Sequence, residues 1–128
     1  MRYDVWFIVS ALGCLLAGIS VGFWFMTPMG GDLSLLPTHA HFNLFGWATL
    51  AIYGLIHRAY PQLAKGRLAA FQFGLAILGS FCLPLGFGIA RDNHAHKMLI
   101  GLGAISGATA AVLFTIMFSA MAILGRRD

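Results

Sequence analysis

The chain has 128 residues, 59% of them hydrophobic and only 9% charged, with a mean hydropathy of +0.84 and a formal net charge of +4. A water-soluble domain of this length has too much surface for its volume to hide so much apolar side chain. A soluble enzyme scaffold is therefore excluded, and the net positive charge is no sign of nucleic-acid binding.

Four blocks are apolar for the roughly 20 residues that a membrane-crossing helix needs: Val5 to Met26, His39 to Tyr60, Leu68 to Ala90 and Met98 to Leu124. They fill the chain as a single transmembrane domain, residues 1–128, and leave no room for another. The links "TPMGGDLSLLPT", "PQLAKGR" and "RDNHAHK" are short and polar. Short links force antiparallel neighbours, so the expected fold is all-α, an integral membrane four-helix up-down bundle. Arg2, Arg58, Lys65, Arg67, Arg126 and Arg127 fall on one side of that bundle, against Arg91 and Lys97 on the other. The positive-inside bias then puts both termini in the cytoplasm and His39, His41, His94 and His96 on the outer side.

The first span carries Trp6 and Trp24 near its two ends, as interfacial anchors do. Gly13, Ala17, Gly18 and Gly22 give it small residues for close helix contact. "ALGC" at Ala11–Cys14 has the spelling of a lipoprotein cleavage site, but the apolar run continues past it, as a retained span requires. Cys14 and Cys82 are single residues inside spans and read as small buried hydrophobes.

The second span opens with His39 and His41, followed by Asn43 and an aromatic and glycine track: Phe42, Phe45, Gly46, Trp47, Tyr53 and Gly54. Residues two apart on a helix point about 200° apart. One metal ion cannot easily take both imidazoles, so the pair addresses two neighbours on opposite flanks. Neutral imidazole is a good iron ligand, and haem wants a flat apolar slot. That favours haem over zinc, which would want a tetrahedral cluster. His57, beside Arg58 at the inner end, reads as an interfacial residue.

The third span holds "CLPLGFG", in which Pro84 is expected to kink the helix. The fourth is dense in small residues: Gly101, Gly103, Ala104, Ser106, Gly107, Ala108 and Ala110. His94 and His96 repeat the H-A-H spelling within a polar outer loop, as candidate second ligands, copper ligands or proton carriers. Asp32 and Asp92 are outer carboxylates that could pair with a ligating histidine's free N–H or with Arg91. No CxxCH motif occurs, so any haem is non-covalent, and no span has an acidic residue at its middle, which speaks against a carboxylate-based ion transporter.

The stretch "HAHFNLFGWATLAIYGLIHRAYP" resembles the tenth transmembrane helix of subunit I of the haem-copper oxidase superfamily, nearest to C-type oxidases and nitric oxide reductases. It carries His-x-His, then Gly-Trp, then an aromatic and small-residue run, at His39, His41, Gly46, Trp47, Tyr53, Gly54, Tyr60 and Pro61. The resemblance implies haem b, with His39 ligating a high-spin haem and His41 a low-spin one, and Gly46 and Trp47 beside the cofactor. Subunit I has twelve spans in three arcs of four, so it further implies that this four-span chain assembles as a homotrimer. The family's copper site uses an adjacent His-His pair, which is absent here. Copper therefore has no matched position.

Three functions compete. The first is a haem b membrane protein for electron transfer or for binding or reducing oxygen or nitric oxide, in a bacterial inner membrane. The second is a non-redox assembly or channel-like subunit. The third is a copper or zinc handling protein using His39, His41, His94 and His96 together.

Overall fold

A computed structural model describes residues 1–27, 33–89 and 94–124. The described residues are almost entirely helical. Helix α1 spans Tyr3–Met26. A 3-10 turn, Leu33–Leu35, leads into α2, Leu36–His41; a π-helical segment, Phe42–Ala48, follows, and then α3, Thr49–Ala59. These last three run on without a break and make a single second rod over residues 36–59. A 3-10 turn at Pro61–Ala64 precedes α4, Arg67–Gly88, and α5 spans His94–Leu124. Three helices are individually long and apolar enough to cross a membrane: α1, α4 and α5. The second rod has comparable length, but its helical hydrogen bonding changes character partway along.

Glycines set how the rods approach. On α1 and the second rod, a Cβ added to Gly22 would meet His39, one added to Gly18 would meet Asn43, one added to Gly46 would meet Cys14, and one added to Gly54 would meet Ile8 and Phe7. The pairs climb one rod while descending the other, so the two are antiparallel. The same holds for α4 and α5, where Gly86 meets Ile100, Gly103 meets Leu83, and Gly79 lies on the backbone of Gly107. Without an apolar driving force between helices in lipid, such close backbone approach is a main source of association. The turn between α3 and α4 closes at Gly66, whose φ of 89° lies where side chains are disfavoured.

Phe7, Ala11 and Cys14 of α1 join Phe42, Leu50 and Tyr53 of the second rod, Ala76 of α4 and Ala110 of α5 in one core. The outward faces stay apolar, with Leu16 and Phe23 on α1, Phe71 on α4, and Ile105 and Ile116 on α5 all exposed. That surface suits hydrocarbon, not water. Trp6 and Trp24 are exposed near the two ends of α1. Cys14 is buried and Cys82 half-buried, and neither is in a disulfide.

Several boundaries differ from those expected. Helix α5 begins at His94, so His94 and His96 occupy its first turns and not a loop. Helix α4 runs through Pro84 and ends at Gly88, close to the expected end of the third span. In α1 the added Cβ of Gly13 meets nothing, and neither does that of Gly101 in α5, so these two glycines take no part in the seams. Asp32, Ala90, Arg91, Asp92, Arg126 and Arg127 lie outside the described residues.

The α4–α5 seam yields a direct test. Gly79→Val pushes a side chain onto the Gly107 backbone, 2.7 Å from the added Cβ, and is expected to destabilise the bundle. Overpacking of this kind costs about 1–3 kcal/mol. Gly74→Val, where nothing lies within 4 Å, is expected to leave the unfolding midpoint in detergent unchanged.

Candidate functional site

The N-terminal end of the second rod places its two histidines on different helices. The His39 ring lies over Gly22 of α1, and its Nδ1 is 2.7 Å from the Gly18 carbonyl oxygen. A carbonyl only accepts, so Nδ1 carries the proton. Asn43 lies against Gly18 and donates to the His39 carbonyl at 2.9 Å, which fixes the amide beside the ring. His41 turns toward α4 instead, with its ring centroid 4.8 Å from that of Phe87. Its Nδ1 donates to the Pro37 carbonyl at 2.7 Å. The two-residue spacing thus sends one imidazole to α1 and the other to α4.

A hydrogen bond from Nδ1–H leaves the basic lone pair of a neutral imidazole on Nε2. This is the arrangement a metal-binding histidine normally has, with its other ring nitrogen held by a carbonyl or carboxylate. For His41, no partner for Nε2 is found among the described residues. His41 also lines an open groove of about 290 Å³ together with Ala40, Leu44, Phe45 and Thr49. Leu44 is 71% exposed on its rim.

The π segment shapes this groove. Its wall steps from Ala40 to Leu44 by four residues and from Leu44 to Thr49 by five, keeping one face through the wider turn. Such a turn shifts the backbone bonds to donors five residues on, so the Leu44 carbonyl takes the Thr49 N–H. The Thr49 hydroxyl donates to the Leu44 carbonyl at 2.9 Å, and the Ser80 hydroxyl of α4 donates to that of Phe45 at 3.1 Å. The second bond ties the groove wall to a neighbouring helix.

Gly46 and Trp47 are placed away from this groove. Gly46 is buried against Cys14, 2.6 Å from an added Cβ, so its lack of a side chain serves the seam with α1. Trp47 packs on the core. His96, half-buried, donates from Nδ1 to the Gly86 carbonyl at 2.7 Å and so ties the start of α5 to the end of α4, while His94 is exposed. Among the described residues no three side chains of His, Cys, Asp or Glu gather as a metal-holding group. His39, His41, His94 and His96 do not form one cluster.

His57 departs most from expectation. It is 2% exposed, boxed by Phe7 at 5.2 Å and Phe114 at 5.9 Å, with Nδ1 donating to the Tyr53 carbonyl at 2.9 Å. An interfacial histidine would reach out beside Arg58; this one faces inward because Phe7 and Phe114 close over it. Gln72, in the middle of an apolar stretch of α4, is buried as well and drew no attention in the sequence.

These residues would suit a haem, offering an apolar wall and one imidazole with its lone pair on Nε2. The groove is open on one side, so the remainder of such a site would come from elsewhere. Seating of His39 is itself testable. Gly22→Ala places a methyl 2.8 Å from His39 Cε1 and is expected to dislodge the ring from the Gly18 carbonyl, seen as a shifted Nδ1 resonance in ¹⁵N-histidine spectra. Gly13→Ala, in open space, should leave that resonance where it is.

No family model, no curated protein and no solved structure matches this chain.

Proposed function

We propose that this chain is a haem b-binding membrane protein related to subunit I of the haem-copper oxidases, serving electron transfer or the binding or reduction of oxygen or nitric oxide. The observation that carries this reading is His41: an imidazole fixed by the Pro37 carbonyl, with its basic nitrogen left for iron, on the wall of an apolar groove. His41 would hold the iron through Nε2, and Ala40, Leu44, Phe45 and Thr49 would face the porphyrin. The Phe87 ring limits rotation of His41. When bound, haem supplies a one-electron redox centre and, where an axial position is open, a place for a diatomic gas.

The chain's own contribution is orientation and exclusion of water. The Pro37 carbonyl strengthens His41 as a donor, since a hydrogen bond at Nδ1–H raises the basicity of Nε2. His39 has the same tautomer, set by the Gly18 carbonyl, and is the second candidate ligand. The three four-span arcs of subunit I are the reason for proposing a homotrimer, and the half-open groove leaves a face that a neighbouring copy would cover. Ring closure is the ordinary outcome of a repeated head-to-tail contact. The bias of basic residues supports a bacterial inner membrane orientation with cytoplasmic termini and the groove toward the outside.

Protein purified from haem-replete cells is expected to show a Soret band that shifts on reduction with dithionite. His41→Ala should remove most of that absorbance, whereas His96→Ala should keep it. Carbon monoxide that shifts the reduced spectrum identifies an open iron position, and an unchanged spectrum identifies two protein ligands. Colourless protein, or a His41→Ala variant with a full Soret band, overturns the assignment.

A further inference from the structure

Among the described residues, three buried polar atoms toward the α3–α4 turn have no hydrogen-bond partner: His57 Nε2, Gln72 Nε2 and Gln72 Oε1. The two side chains are 2% and 0% exposed. They belong to one level of the bundle. Tyr53 and Ala76 line the same small cavity, and one helical turn further toward the α3–α4 turn along each rod come His57 and Gln72. Phe114 of α5 packs on both Tyr53 and His57, which places the same level against the fourth rod.

The chemistry of the three atoms is complementary but unjoined. His57 has its one proton on Nδ1, given to the Tyr53 carbonyl, so Nε2 can only accept. Gln72 has two amide hydrogens to give and a carbonyl oxygen to receive. The direct bond between them is not made, and buried groups in that position are normally completed by ordered water. The cavity one turn away measures about 10 Å³, close to the room a single water needs, and has the polar side chains Thr49, Tyr53 and Ser80 on its wall.

We infer that His57 and Gln72 form a water-binding site inside the bundle, toward the α3–α4 turn. One water donates to His57 Nε2 and accepts from the Gln72 amide; a second donates to Gln72 Oε1. This site is separate from the His41 groove, and its ligand is water, not a metal or porphyrin. The Asp4 carbonyl lies 3.0 Å from a Cβ added at Gly54, one turn from His57, and Arg2 and Arg58 pair with the Asp4 carboxylate at 3.3 and 3.9 Å, so the hydrated level adjoins a charged rim.

Water-edited magic-angle-spinning spectra of ¹⁵N-labelled protein in lipid bilayers test this directly. The expected result is rapid water-to-imidazole transfer at His57, identified as the signal lost in His57→Gln, and at the Gln72 side-chain amide. Gln72→Leu should slow transfer at His57 several-fold while leaving His41 unchanged. A His57 signal as slow to receive water magnetisation as the core backbone amides overturns the proposal, and so does unchanged transfer in Gln72→Leu. Thermal unfolding gives a second reading of opposite sign: a hydrated pair makes Gln72→Leu less stable, and a dry pair makes it more stable. Both measurements run on protein with or without pigment, so their failure is distinct from failure of the haem reading.

Discussion

Four histidines and several hydroxyls of this bundle bond to main-chain carbonyls, and the site architecture depends on those bonds. In hydrocarbon a hydroxyl or imidazole N–H has no water to turn to, and a carbonyl can accept a second bond beyond its helical one. Ser20, Thr109 and Thr115 fold back onto carbonyls four residues earlier in their own helices. His41 and His57 do the same through Nδ1, whereas His39 and His96 reach carbonyls on another helix. One rule thereby fixes the tautomer of four histidines. It also decides their chemistry, because each keeps its lone pair on the far nitrogen.

Close backbone approach then decides what those nitrogens face. Gly18 and Gly22 are empty seats on α1, and Asn43 and His39 fill them, so packing of the first two rods and orientation of the His39 ring are one event. Gly79, Gly103 and Gly107 do the corresponding work between α4 and α5, and the ring of Phe45 also rests on Gly107. Phe45 is thus held twice, by its ring on α5 and by its carbonyl on Ser80 of α4, while it forms part of the wall beside His41. The groove is rigid on the side where the protein builds it and unclosed on the other.

Much of this could be read from residue order alone, and the reason is hydropathy. Apolar runs and short polar links suffice for four antiparallel rods, and two residues of separation suffice to send His39 and His41 to different helices. The start of α5 was harder: "RDNHAHK" is polar enough for a loop, yet His96 finds its acceptor on Gly86 and the helix extends back through it. His57 turns inward for a different reason. Adjacent Arg58 suggests an exposed end, but the aromatic lid over His57 comes from Phe7 and Phe114, remote in sequence. Gly46 carries the same lesson, since a glycine in an aromatic run suits a flat ligand or another helix equally, and only the position of Cys14 decides. The π segment leaves no trace in composition, because its turns are bonded through the backbone and the added donors, Thr49 and Ser80, are ordinary hydroxyls.

The seven-residue π segment, Phe42–Ala48, has a mechanical consequence. Wider turns advance fewer degrees per residue than α-helical ones, so the segment acts as a built-in phase offset between the two ends of its rod. The N-terminal end is indexed to Gly22 and Phe87, and the C-terminal end to Phe7 and Phe114. Deleting one residue there would barely alter hydropathy or length, yet it would rotate one end against the other by roughly 100°. The rod can satisfy both sets of neighbours only while that extra residue is retained.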